Sequence, residues 1–136
     1  MAQLEARELV CFAADKTREQ FFRDLPLYAS DEVERRVEEL TRRRLAGEPV
    51  AYIIGEWELY GLPLDISREV IVPRADTEVL AERAILLARA AGEGARVLDL
   101  CAGSGCVGLA VAANAPDCRV VLADLSEGAL RICKQN

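Results

Sequence analysis

The chain has 136 residues, of which 51% are hydrophobic and 29% charged; its net charge is −6 and it contains no histidine. That length suits one domain of roughly 100–200 residues, with enough apolar content for a packed core. The acidic balance argues against a nucleic-acid partner, whose phosphates attract clustered Lys and Arg, and the missing histidine removes catalytic triads, histidine general bases and most zinc enzymes.

No apolar run approaches the ~18 residues that span a bilayer, and no basic-then-apolar signal opens the chain. The expectation is a cytoplasmic protein with no membrane partner. Cys11, Cys101, Cys106, Cys118 and Cys133 are odd in number and form no C-x-x-C pair. They read as reduced thiols rather than a disulfide framework or metal site. Arg42-Arg43-Arg44 is the only basic cluster, and its place near a helix end suits the helix dipole better than a phosphate.

From residue 3 to about 46 the pattern is helical, without an internal repeat. Leu4, Leu9, Phe12 and Ala13 form one apolar face, Phe21, Phe22 and Leu25 a second, and Pro26 interrupts. Asp31 and Glu34 are spaced as a capping box with Asp31 as N-cap. Val33, Val37, Leu40 and Leu45 then carry a buried stripe to Gly47, a suitable C-cap. After Pro49 the period changes to two, with Ile53, Gly55, Trp57 and Leu59 on one side. Gly61 marks a turn, and Leu62, Leu64 and Ile66 alternate with polar neighbours. These residues predict a β-hairpin, in which Trp57 reads as packed rather than as a ligand platform.

Val70-Ile71-Val72 is a short apolar run ended by Pro73. A helix is predicted from about Thr77 to Ala91, with Leu80, Ala84, Leu87, Ala88 and Ala91 on one face. Residues 96–100 predict a strand, 105–114 a helix and 118–123 a second strand ending at Asp124, after which Ser126 caps a last helix. The β-α-β-α order predicts an α/β fold, the start of a parallel doubly wound sheet. The expected domains are a helical N-terminal domain at 1–48, a β-hairpin linker at 49–73 and a partial Rossmann-like domain at 74–136. Two parallel strands cannot close such a sheet, because its faces and edges need further elements. The expectation is therefore a truncated domain that self-associates or leaves its C-terminal part poorly ordered.

The stretch Val97-Leu98-Asp99-Leu100-Cys101-Ala102-Gly103-Ser104-Gly105-Cys106-Val107-Gly108 carries the most chemistry. It reads as a short buried strand that ends in an acidic residue, then a glycine loop and a helix N-terminus that offers N–H groups to a ligand. Gly103, Gly105 and Gly108 fit G-x-G-x-x-G, and Asp124 follows where a ribose-binding acid is expected. Asp99 separates two cofactor classes. A carboxylate there repels a pyrophosphate but favours the sulfonium and ammonium of S-adenosylmethionine, so the pattern favours that cofactor over NAD. The plain alternative is a strand–turn–helix whose glycines serve packing. Cys101 and Cys106 read as small space-fillers rather than nucleophiles.

Gly47-Glu48-Pro49, Tyr52-Ile53-Ile54-Gly55, Gly61 and Ile71-Val72-Pro73-Arg74-Ala75-Asp76-Thr77-Glu78, followed by Val97–Gly105 and Val121–Asp124, resemble the bacterial protein-glutamine N5-methyltransferases of the HemK/PrmC type. The resemblance covers about residues 35–136, and Pro-Arg-x-Asp-Thr-Glu is its specific part. It implies a helical N-terminal substrate-recognition domain, a hairpin hinge and a Rossmann-like S-adenosylmethionine domain. It also implies methyl transfer to the glutamine of the Gly-Gly-Gln motif of peptide-chain release factors. On this resemblance Cys101, Ala102, Gly103, Ser104 and Gly105 wrap the methionine end of the cofactor, and Asp124 accepts hydrogen bonds from the ribose hydroxyls. Cys101 and Ala102 depart from the Gly-Thr that commonly opens this loop. The family's Asn-Pro-Pro-Tyr motif does not occur in the 136 residues, so no catalytic residue is assigned here and no turnover is expected from this chain. The Pro73–Glu78 segment reads equally as a ligand-side loop or as a helix cap. The competing functions are a DNA adenine or other amino methyltransferase and a non-catalytic module binding a translation factor.

Overall fold

The computed structural model describes residues 2–136. Two compact units divide the chain, the first ending at Ile54 and the second running from Gly55 to Asn136.

The first unit is helical: α1 (Ala2–Ala14), α2 (Arg18–Asp24), α3 (Asp31–Leu45) and α4 (Val50–Ile54). Leu9 and Ala13 of α1, Leu40 of α3, and Val50 and Ile53 of α4 form its core, with Val37 and Ile54 packed against them. The capping box belongs to α2. Thr17 accepts from the Gln20 N–H, and the Gln20 side chain accepts from the Thr17 N–H. At α3 the N-cap is Ser30 rather than the expected Asp31; its hydroxyl accepts from the Val33 N–H. Asp31, Glu32 and Glu34 instead fill the first turn, where carboxylates suit the positive end of the helix dipole.

The buried stripe of α3 also ends earlier than expected. Leu45 is 82% exposed, because the face carrying Val37 and Leu40 reaches the end of the helix at Arg44. The Arg44 guanidinium there makes a two-pronged bond to the Glu5 carboxylate at 3.0 and 3.1 Å. Leu4 and Phe12 of α1 and Phe22 and Leu25 near α2 are likewise substantially exposed rather than buried.

Residues 50–54 are helical, which corrects the strand expected after Pro49. Both the Tyr52 and Ile53 N–H groups bond to the Pro49 carbonyl, and Val50 and Ile53, three apart, point into the core. A short apolar run satisfies periods of 2 and 3.6 alike, and here the packing against α1 and α3 decides between them. The hairpin thus begins at β1 (Glu56–Leu59), which pairs antiparallel with β2 (Leu62–Asp65). Leu59, Leu64 and Ile66 are buried and Trp57 is half-buried.

Helix α5 (Ala75–Ala91) follows. Its buried face is Ala81, Ile85 and Ala88, not the larger Leu80 and Leu87, which are 58% and 72% exposed. Small residues at that spacing let α5 lie close against α6 (Cys106–Asn114). In the Pro73–Glu78 segment, Arg74 is the N-cap and Glu78 accepts the Tyr60 N–H at 3.1 Å, fastening the hairpin turn to α5. The remaining order is β3 (Arg96–Leu100), α6, β4 (Arg119–Ala123) and α7 (Glu127–Gln135), with β3 and β4 parallel and in register Arg96↔Arg119 to Leu100↔Ala123. Asp99 and Leu122 face α6 at Gly108. By strand alternation Leu98, Leu100 and Val121 lie on the opposite face, where each is more than half exposed. Among the described residues no helix is long and apolar enough to cross a membrane.

Candidate cofactor site

Parallel pairing brings the ends of β3 and β4 together and so sets the Cys101–Gly105 loop beside Asp124. The ladder runs one step past the strands, where the Ala102 N–H bonds to the Ala123 carbonyl at 3.0 Å. The chain then turns, the Gly105 N–H returning to the Ala102 carbonyl at 2.8 Å, and α6 opens with Leu109 N–H to Gly105 O. Gly105 is the N-cap with φ +80°, and a Cβ there would meet Cys133 Sγ at 3.1 Å. Both the left-handed backbone and the close thiol require glycine. Cys101 takes φ +63° without being glycine, a conformation that costs an L-residue roughly 1–2 kcal/mol. Its departure from the family pattern thus falls where glycine fits the backbone best.

The two acids have different partners. Asp124 Oδ2 accepts the Gly103 N–H and Oδ1 accepts the Ser126 N–H, both at 2.9 Å. Asp99 Oδ2 accepts the Gly108 N–H at 2.8 Å, so one oxygen of Asp99 fixes the first turn of α6. The sequence signal for it was present but incomplete: Gly108 lies on the helix face that packs over β3.

The six residues singled out in the sequence are gathered in one place, with unequal access. Cys101 is exposed, and Gly103 and Asp124 are partly open, whereas Ala102, Ser104 and Gly105 are buried. Ala102 is 8% exposed, so a hydroxyl at this position would lie inside the protein. A Cβ built on Gly103 (φ +57°) meets nothing within 4 Å, which leaves free space over the loop. Cys133 of α7 lies beneath it and donates its thiol to the Gly103 carbonyl at 3.1 Å; neither Cys133 nor Asn136 was singled out for the site.

The Asp124 carboxyl is held below its ordinary range by the N–H donors of Ser126, Gly103 and Leu125, in that order. A lowered carboxylate stabilises the fold fully above its unfolded pKa near 4, and that contribution is lost as pH falls through the lower folded value. The loop is therefore expected to keep one conformation from neutral pH down to about pH 5 and to loosen only in stronger acid. Carboxyl-carbon shifts of Asp124 followed through a pH titration check this. Burial pushes the thiols of Cys106 and Cys133 up, so they stay neutral near pH 7. Among the described residues no group of three His, Cys, Asp or Glu side chains could hold a metal.

Two family models match, one described as the PrmC N-terminal domain over residues 1–55 and one described as lysine methyltransferase over residues 74–136. A release factor glutamine methyltransferase of Neisseria gonorrhoeae is 40% identical over 136 residues, which is 100% of this chain and 49% of the relative. The protein of the same name from Thermodesulfovibrio yellowstonii is 35% identical over 97% of this chain and 47% of its own length. That of Escherichia coli is 38% identical over 79% and 38%. The chain belongs to the release factor glutamine methyltransferase family. It spans about half the length of the curated relatives it matches. Its architecture is an N-terminal helical domain of the PrmC type followed by part of a Rossmann-like methyltransferase domain.

Proposed function

We propose that residues 74–136 hold S-adenosylmethionine, and that the whole protein transfers its methyl group to the side-chain amide of the glutamine in a release-factor Gly-Gly-Gln loop. The observation that carries the cofactor reading is the use of the loop's N–H groups. A pyrophosphate cradle needs N–H donors aimed outward. Here the Gly103 N–H is taken by Asp124 and the Gly108 N–H by Asp99, so two carboxylates stand against any phosphate brought to this turn. The same two negative charges favour a cationic ligand.

The residues present fit the group. Free space over Gly103 admits a ligand close to the backbone. A carboxylate has about four lone-pair directions, and Asp124 turns three toward the N–H groups of Gly103, Ser126 and Leu125; the direction left open suits a ribose hydroxyl. The bound cofactor would supply an electrophilic methyl group. Cys101, Gly103 and Asp124 form the open rim of the site, while Ala102, Ser104 and Gly105 hold its floor through the backbone.

The protein substrate rests on the names of the relatives and on the first unit. There α1, α2, the following loop and the start of α3 line a crevice of about 360 Å³, apolar at Val10, Phe21, Leu25, Leu27 and Val33 and edged by the Lys16–Asp24 ion pair. Such a surface suits a protein side chain better than a phosphate backbone.

Calorimetric titration of the full-length protein tests the cofactor. S-adenosylmethionine should bind, NAD should not compete, and Asp124→Ala should weaken binding roughly ten- to hundredfold, the scale for hydrogen bonds to a charged acceptor. Unchanged affinity in the variant, or tight NAD binding, returns the loop to the dinucleotide class.

A further inference from the structure

The hairpin strand β2 and the glycine loop are joined by a single side chain. Asp65 stands opposite Glu56 in the hairpin register, and the neighbouring pair carries the ladder bond from the Ile66 N–H to the Gly55 carbonyl. Antiparallel pairs alternate between bonded and non-bonded, so the N–H and C=O of Asp65 turn to the open edge of β2. Both are met by Asn136. Its Oδ1 accepts the Asp65 N–H at 2.6 Å, and its Nδ2 donates to the Asp65 carbonyl at 3.3 Å and to the Ser104 carbonyl at 2.9 Å. A primary amide reproduces the donor and acceptor of a peptide group. Asn136 thus extends the sheet by one residue, and its second N–H reaches the loop.

We propose that Asn136 is a positioning residue for the cofactor loop, setting its shape by clamping Ser104 to the hairpin. The loop needs such an anchor. Gly103 and Gly105 both take positive φ, and glycine has little preference of its own among backbone conformations. Two successive carbonyls are held from the C-terminal turn of α7, that of Gly103 by Cys133 and that of Ser104 by Asn136. The holders are three residues apart, the spacing that puts them on one helix face. The set needs an amide: aspartate matches asparagine in shape but has no N–H to donate and would set a carboxylate against two carbonyl oxygens.

The inference rests on the cofactor reading above, and the test separates the two. In the full-length protein, Asn136→Asp should speed amide hydrogen exchange at Asp65 and across Ala102–Gly105 while leaving the β4 amides protected. It should raise the Kd and KM for S-adenosylmethionine about tenfold, with kcat within about twofold of wild type. Asn136→Ala removes the same bonds without adding charge and should give the same pattern if the aspartate variant folds poorly. Wild-type exchange at the loop together with unchanged KM in either folded variant overturns the clamp, as does a uniform rise in exchange with no split between KM and kcat. A wild-type protein that binds no S-adenosylmethionine overturns the cofactor reading instead, and loop exchange in the variants then decides the clamp alone.

Discussion

Replacing Gly108 with valine is expected to cost about 3 kcal/mol of folding stability, the upper part of the range for overpacking a filled site. Gly108 lies in the first turns of α6, where the helix comes down onto β3 and β4. A Cβ at this position would stand 2.5 Å from Leu122 Cδ2, 3.0 Å from Asp99 Oδ2 and 3.2 Å from Asp99 Cβ. The Leu122 methyl can swing aside. The Asp99 carboxylate cannot move as freely, because it accepts the Gly108 N–H. Alanine is the informative intermediate, since it gains about 1 kcal/mol of helix propensity over glycine while adding only the Cβ. Urea titration should find Gly108→Ala near neutral and Gly108→Val strongly destabilised. A stabilised valine variant would mean that α6 does not approach the sheet this closely.

Leu59→Ala is the second large effect, expected at about 2–5 kcal/mol for removing a buried leucine side chain. Leu59 is 2% exposed and among the largest fully buried side chains of the chain. It ends β1 next to Tyr60, whose N–H is held by Glu78 of α5, so its loss should also free the hairpin turn. The matched control is Leu45→Ala. Leu45 is 82% exposed, and the change should stay within about 0.5 kcal/mol. Denaturation of the two variants side by side checks both, and a large effect at Leu45 would restore the buried stripe that the α3 pattern suggested.

The β-α-β-α order was legible because each of its parts carries a local signal. Two short apolar runs, Val97-Leu98 and Val120–Ala123, lead into acids, glycines follow the first, and Ser126 caps α7 with its hydroxyl on the Ala129 N–H. Parallel pairing then puts Asp124 next to Gly103 without further information. The misread positions are those where a partner distant in sequence decides. Arg44 displaces Leu45 from the buried face by reaching Glu5. Residues 50–54 become a helix because α1 and α3 offer an apolar seat. On α5 the buried face is Ala81, Ile85 and Ala88 rather than the one carrying Leu80 and Leu87, a choice made by the packing against α6. Asn136 carried no readable signal, since its contacts with Asp65 lie 71 residues away. Asp99 was correctly placed at the loop, but its hydrogen bond to Gly108 depends on the angle at which α6 packs.

Methyl transfer itself tests the central claim most directly. The full-length protein, incubated with a release factor and S-adenosylmethionine labelled in its methyl group, should place the label on the glutamine of the Gly-Gly-Gln loop. An amide nitrogen is a weak nucleophile, so positioning must carry much of the rate, and a slim glycine-flanked loop suits entry into a narrow cleft. Incorporation should vanish when that glutamine is replaced by alanine, and DNA should remain unlabelled. Label that survives the Gln→Ala change, or that appears on DNA instead, would contradict the account.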